Sequence, residues 1–243
     1  MCGGPVVLCN APPSAPFDEY AADYDAALSR GLALAGEDVD YFAAARISWL
    51  DRRLRQANHT AGSLLDFGCG TGRSAVHFRA VMPGLRRLAG VDISAGAIDE
   101  ARRRFGHLAD FALTDAVSPD GSFDVVFCNG VFHHIEPPQR PNAMRFIAAC
   151  LRPGGILALW ENNPWSPAAR LVMRRIPFDR DAVMVWPRQA RRLARECGLE
   201  PLSTDYLFIF PHFARWLRPL EPLVARLPLG AQYMVLCRKG AGG

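Results

Sequence analysis

Apolar residues recur with a helical period at the start of the ordered pattern and with a strand-like density after it. Phe17, Tyr20, Ala21 and Tyr24 share one helical face, and a second helix over Val39–Gln56 turns Phe42, Ile47, Leu50 and Leu54 inward. Short apolar runs at Ser63–Phe67, Leu88–Ile93, Phe111–Thr114, Phe123–Cys128 and Ile156–Trp160 then read as strands. Helical stretches fill the intervals: Gly72–Val81, Ala95–Phe105 with Ser94 as N-cap, and Pro138–Leu151, stopped by Arg152-Pro153-Gly154-Gly155. Buried strands alternating with helices predict an α/β fold, a parallel sheet covered by helices on both faces. The last third differs. A basic amphipathic helix at Pro187–Cys197 ends at Gly198, and two apolar strands, Tyr206–Phe210 and Tyr233–Cys237, flank the proline-punctuated stretch Pro211–Gly230. No internal repeat and no linker appears, so residues 17–243 are expected to form one domain behind a disordered leader, 1–16, rich in Pro, Gly and Ala.

Composition narrows the class. Half of the 243 residues are hydrophobic, about a fifth are charged and the net charge is +4, which fits a globular protein. Lys239 is the one lysine among 28 basic residues. That arginine bias, with abundant Ala, Gly and Pro, points to a GC-rich, bacterial genome, and the arginines are dispersed along the chain. A nucleic-acid surface is therefore not expected. Charges or prolines interrupt every apolar run before the ~20 residues of a membrane span, and residues 1–16 lack the basic start of a signal peptide. Seven cysteines without a CxxC spacing argue against zinc or a disulfide framework, and for reduced thiols and a cytoplasmic location.

The chemistry concentrates at Leu64-Leu65-Asp66-Phe67-Gly68-Cys69-Gly70-Thr71-Gly72-Arg73, a strand that ends in a glycine turn opening a helix. Backbone N–H groups and the positive helix end converge there on one spot. Dinucleotide enzymes carry G-x-G-x-x-G at the same place, but here the third glycine falls at Arg73. Asp66, just before the loop, would repel a pyrophosphate and attract a cation. Asp92, twenty residues beyond Gly72, ends the second strand, where it can accept from both hydroxyls of a ribose.

Five segments in register resemble the class I S-adenosylmethionine-dependent methyltransferases: Asp66–Gly72, Val91-Asp92-Ile93-Ser94, Thr114-Asp115-Ala116, Phe123–Phe127 and Leu151–Gly155. The resemblance covers residues 60–160. It implies a Rossmann-like α/β/α sandwich whose seven-stranded sheet has the order 3-2-1-4-5-7-6, the last strand antiparallel and supplied by the unusual tail. It also implies S-adenosylmethionine as cofactor and S-adenosylhomocysteine as product. Carried over residue by residue, Asp66 with Gly68, Cys69, Gly70 and Gly72 holds the amino-acid end, and Asp92 the ribose. Ile93 packs on the adenine, Asp115 accepts from its amino group with the Ala116 backbone beside it, and Asn129 faces the methionine portion. The first helix resembles the family's cofactor lid, within residues 17–58. Tyr20 and Tyr24 either cover the sulfonium by cation–π contact or pack on the sheet.

The acceptor is less determined. Methyl transfer from a sulfonium is an in-line displacement, dominated by positioning, and an oxygen acceptor adds the need for a base. His133-His134 follows the fourth strand and Glu161 ends the fifth, as in some sugar O-methyltransferases that this chain resembles. The pair therefore reads either as a catalytic base oriented by Glu161 or as a turn closure. Asn162-Asn163-Pro164-Trp165 is similar to a nucleobase-methylation motif but follows the wrong strand. Asn129 with Glu161-Asn162 is one carboxylate short of a catechol-type magnesium site, so no metal is expected. The apolar connections 162–186 and 211–230 are expected to form an acceptor lid, with a dimer interface or a peripheral membrane contact as alternatives. The expected function is methylation, O-methylation first, of a small lipophilic, aromatic or glycosidic acceptor, as in natural-product biosynthesis, by a monomer or homodimer. The alternatives are an RNA or protein methyltransferase and a non-catalytic cofactor-binding scaffold.

Overall fold

In the computed structural model, residues 36–176, 179 and 182–240 are described. The leader and the first expected helix, with Tyr20 and Tyr24, lie outside them. The elements are α1 (Val39–Gln56), β1 (Ser63–Phe67), α2 (Ser74–Val81), β2 (Arg87–Asp92), α3 (Ala95–Phe105), β3 (Asp110–Leu113), β4 (Phe123–Asn129), α4 (Arg140–Cys150), β5 (Leu151–Asn162), α5 (Pro167–Arg175), α6 (Pro187–Glu196), β6 (Leu199–Leu207), α7 (Glu221–Val224) and β7 (Gln232–Lys239). Short 3-10 turns stand at Thr114–Ala116, Pro137–Gln139 and His212–Leu220.

The seven strands form one sheet in the order β3-β2-β1-β4-β5-β7-β6, with β7 antiparallel to both neighbours and the first five strands parallel. Unbroken apolar strands make sense here because both faces are covered. Val125, Phe127, Ile156, Ala158 and Trp160 pack with α1–α3 residues such as Leu50, Phe78 and Ile98. Val126, Cys128, Leu157 and Leu159 pack on the other face with Met144, Phe146, Ile147 and Ala190 of α4 and α6. The period-2 alternation sends successive side chains to opposite layers.

Two boundaries move. Arg152-Pro153-Gly154-Gly155, expected as a stop before the strand, lies within β5: the β4–β5 register shifts there and Gly154 takes φ +74°. Arg152 Nε donates to Asp124 Oδ1 at 2.5 Å, while Asp124 Oδ2 accepts from Gly62 N and Ser63 N, both at 2.8 Å. One carboxylate thus ties β1, β4 and β5 at the edge away from the glycine loop. The sixth strand starts at Leu199, ahead of the expected Tyr206. It is an edge strand with polar residues on its open face and a register shift beside Pro201, the sort of place where a strand tolerates proline.

Candidate functional site

At the carboxyl edge of β1 the chain makes the glycine turn. Gly68 N and Cys69 N donate to Val91 O at 2.8 and 3.0 Å, fastening the loop to β2. Gly68 has φ +76°, and a Cβ there would collide with the Val131 side chain. Gly70, at φ +52°, has nothing within 4 Å of a Cβ position, so its backbone borders open space. Arg73, where a dinucleotide loop would have its third glycine, forks onto Asp40 of α1 at 2.8 and 2.6 Å. With His77 3.0 Å away, that contact holds the Asp40 carboxyl down at about 2.

A cleft of about 190 Å³ opens above this turn. Its walls come from Phe67, Gly68, Gly70 and Thr71, from Asp92, Ile93, Ser94 and Ala97, from Thr114, and from Asn129, Gly130, Val131, His134 and Ile135. Asp92 sits in it with both oxygens engaged: Oδ2 accepts from Gly70 N at 2.9 Å and Oδ1 from Ser94 N at 3.0 Å. Ile93 stands at the rim with 72% of its surface exposed, an apolar side chain awaiting a flat partner. Asn129 Oδ1 is buried and has no hydrogen-bond partner among the described residues, which is the signature of a polar ligand group.

Several expected residues stand elsewhere. Asp66 is buried beneath the loop, where burial first, and then Asp92, push its carboxyl up to about 7. Cys69 turns its thiol into the core, 2.9 Å from a Cβ built on Gly90, so only its backbone belongs to the loop. Gly72 supports the turn without lining the cleft, and Asp115 and Ala116 are exposed on the 3-10 turn beside Thr114.

The histidine pair divides. His134 lines the cleft. His133 points away: its Nδ1 lies 2.6 Å from Glu161 Oε2, the two side chains only 4% and 1% exposed, and Glu161 Oε1 accepts from Phe132 N at 2.8 Å. Asp179, outside the expected set, completes the group. Its Oδ1 is 3.6 Å from His133 Nε2 and 3.2 Å from His134 Nε2. Burial alone would lower the His133 pKa, but Glu161 and Asp179 override it and hold the imidazole up to about 10. The two acids thus favour the charged form of His133, whose ring is buried away from the cleft wall. Glu161 orients His133, the histidine that does not line the cleft. Burial raises the Asp179 carboxyl less than the two histidines lower it. One atom each from His133, His134 and Asp179 falls within 4.8 Å of the others. Glu161, the carboxylate of the catechol-type set, is engaged by Phe132 N and His133 Nδ1. Asp179 stands in the charged run Asp179-Arg180-Asp181, which gives no sequence signal that singles it out.

The remaining motifs serve structure. Asn163 donates to Pro228 O and Gly230 O and accepts from Trp165 N, which leaves no amide face for a nucleobase. Arg140 donates to Ile135 O and Val183 O and ties the 162–186 connection to the turn that carries the histidines. The 211–230 connection, expected as part of a lid, turns Phe213 and Trp216 to solvent. No helix among the described residues is long and apolar enough to cross a membrane.

Residues 37–204 match the methyltransferase domain family. The trans-aconitate 2-methyltransferase of Methylobacterium nodulans is 33% identical over 190 residues, 74% of this chain and 67% of that protein. The 27-O-demethylrifamycin SV methyltransferase of Amycolatopsis mediterranei is 37% identical over 156 residues, 58% of this chain and 55% of that protein. The matches span from 24% to 70% of the length of such curated relatives. Among solved structures, human N-acetylserotonin methyltransferase with S-adenosylmethionine superposes with a TM-score of 0.65 at 16% identity, over 95% of this chain and 60% of that one. Strand order, glycine turn and family match agree: the chain belongs to the methyltransferase domain family, within the class I S-adenosylmethionine-dependent methyltransferases.

Proposed function

We propose that the protein transfers a methyl group from S-adenosylmethionine to a hydroxyl oxygen of a small, lipophilic acceptor, with His134 as the proton acceptor. The observation that carries this reading is the side chain of His134 in the cleft wall, with Asp179 3.2 Å from its Nε2. The cofactor supplies a methyl group made electrophilic by a sulfonium. When bound, its amino-acid and ribose ends would be held by Gly70 and Asp92, its adenine by Ile93 and its cationic end by Asn129, with the buried Asp66 carboxyl beneath the loop. Val131 and Ile135 make the neighbouring wall apolar, which favours a lipophilic acceptor and keeps water from the reacting atoms.

The acceptor hydroxyl forms the new carbon–oxygen bond as the carbon–sulfur bond breaks, and its proton passes to His134. The Asp179 carboxylate, 3.2 Å from His134 Nε2, stabilises by its charge the imidazolium that forms. His133, already protonated, anchors both acids around that ring. No metal is required by this arrangement. Both named relatives methylate small molecules according to their names, trans-aconitate and 27-O-demethylrifamycin SV, which supports a small acceptor. The test is incubation with radiolabelled S-adenosylmethionine and fractionated cell extract. Label in the small-molecule fraction is expected, and label confined to protein or RNA would overturn the reading.

A further inference from the structure

Between β6 and β7 the chain crosses residues 208–231 as a 3-10 turn (His212–Leu220) and the short helix α7. Phe213, Trp216, Leu220, Leu223 and Leu227 recur three or four residues apart, and every one of them is exposed, from 47% at Leu220 to 85% at Phe213. Helical spacing normally buries such a row, so an outward stripe calls for a partner. The other side of the segment is fastened down. Ala225 is buried and its carbonyl accepts from Tyr206 N at 2.6 Å, Glu221 Oε1 accepts from Ile209 N at 2.7 Å, and Arg218 pairs with Glu37 at 2.8 Å. The apolar side chains are thus held out on an anchored support.

Charge identifies the partner. Exposed Arg215 is interleaved with the stripe, Arg226 beside it reaches back to the buried Asp205 at 3.4 Å, and Glu221, the acid within 211–230, is turned inward to the backbone. Basic and apolar positions on one side, with Trp and Phe among them, are the composition of an interfacial segment that rests in lipid headgroups. The row is one side chain wide, narrower than the patch of about 800 Å² per partner that a stable dimer buries. Since β6 runs parallel to β5, the segment sits on the same sheet edge as the cleft. We propose that the stripe Phe213–Leu227 docks the protein on an anionic lipid surface, with the cleft-bearing edge of the sheet toward the bilayer.

The test is co-sedimentation of the full chain with vesicles of phosphatidylcholine alone or mixed with phosphatidylglycerol. Binding to the mixed vesicles is expected, weakened by salt and by omission of the anionic lipid. The double variant Phe213→Ser/Trp216→Ser should bind at least tenfold more weakly on both compositions. Arg215→Ser should lose roughly fivefold on the mixed vesicles only, the scale for one basic residue at such a surface. These residues are outside the cleft, so circular dichroism and S-adenosylmethionine affinity should match wild type in both variants and certify the fold. Three results would overturn the proposal: no binding of folded wild type to either vesicle, equal binding by the double variant, or a dimer by light scattering that the double variant dissolves without any vesicle binding.

Discussion

Replacing Glu161 with Gln keeps the size of the side chain and an acceptor for Phe132 N–H, and removes the charge 2.6 Å from His133 Nδ1. The His133 imidazole titrates at about 10 in the fold against an ordinary 6.5. At 1.36 kcal/mol per pH unit, its protonation stabilises the fold by on the order of 4 kcal/mol, shared between Glu161 and Asp179. Breaking one partner from such a buried pair costs about 3–5 kcal/mol. Glu161→Gln should therefore unfold about 6–20 °C lower at pH 6, given about 2–4 °C per kcal/mol for a chain of this size. Because the folded pKa is raised, the stabilisation is complete below about 6.5 and disappears as pH rises through about 10. Urea unfolding of wild type and variant at several pH values should show the gap closing between pH 8 and 10.5, the variant curve being the flatter. NMR of the imidazole should find His133 protonated at pH 8. A variant as stable as wild type at every pH, or a wild-type His133 titrating near 6.5, would refute the reasoning.

Other expectations follow from the same geometry. His134→Ala should lower kcat by ~10²–10⁴-fold with cofactor affinity nearly unchanged, the range for a lost general base; near-wild-type turnover would make the residue structural. Asp179→Asn should cost about tenfold to a hundredfold in kcat and displace the acid limb of the pH–rate profile, and an unmoved profile would remove its positioning role. Turnover should survive excess chelator, and loss restored by magnesium would place a cation between His133, His134 and Asp179. The Asp66 carboxyl, raised to about 7, favours the apo protein at low pH and loses that contribution as pH rises through about 7. A cationic ligand should reverse this, so S-adenosylmethionine affinity should climb with pH up to about 7, with proton release seen as buffer-dependent heats, and Asp66→Asn should flatten the slope.

Periodicity carried most of the fold because the parallel strands are buried on both faces and their apolar runs are uninterrupted. β1 and α3, with its Ser94 cap accepting from Ala97 N, are local enough to be legible from residues alone. The edge strand β6 was half hidden, since polar residues and Pro201 on an open edge do not read as a strand. At the site, the glycine turn, Asp92, Asn129 and His134 were legible because backbone conformation and strand ends fix their places. The division of labour between His133 and His134 was not. It depends on which imidazole meets Glu161 across β4 and β5, and on Asp179 arriving from a connection with no regular pattern. The same holds for Arg152-Pro153-Gly154-Gly155 and Asp124, whose role as a clamp on three strands is a tertiary fact.

Calorimetric titration of the full chain with S-adenosylmethionine, wild type beside Asp92→Ala, tests the central claim most directly. Asp92 anchors Gly70 and is proposed to hold the ribose, so its loss should weaken binding by at least about 1.5–3 kcal/mol, roughly tenfold or more, in a protein that remains folded. One cofactor per chain with that loss is the predicted result. No binding by folded wild type, or equal affinity in folded Asp92→Ala, would contradict the placement of the cofactor in this cleft.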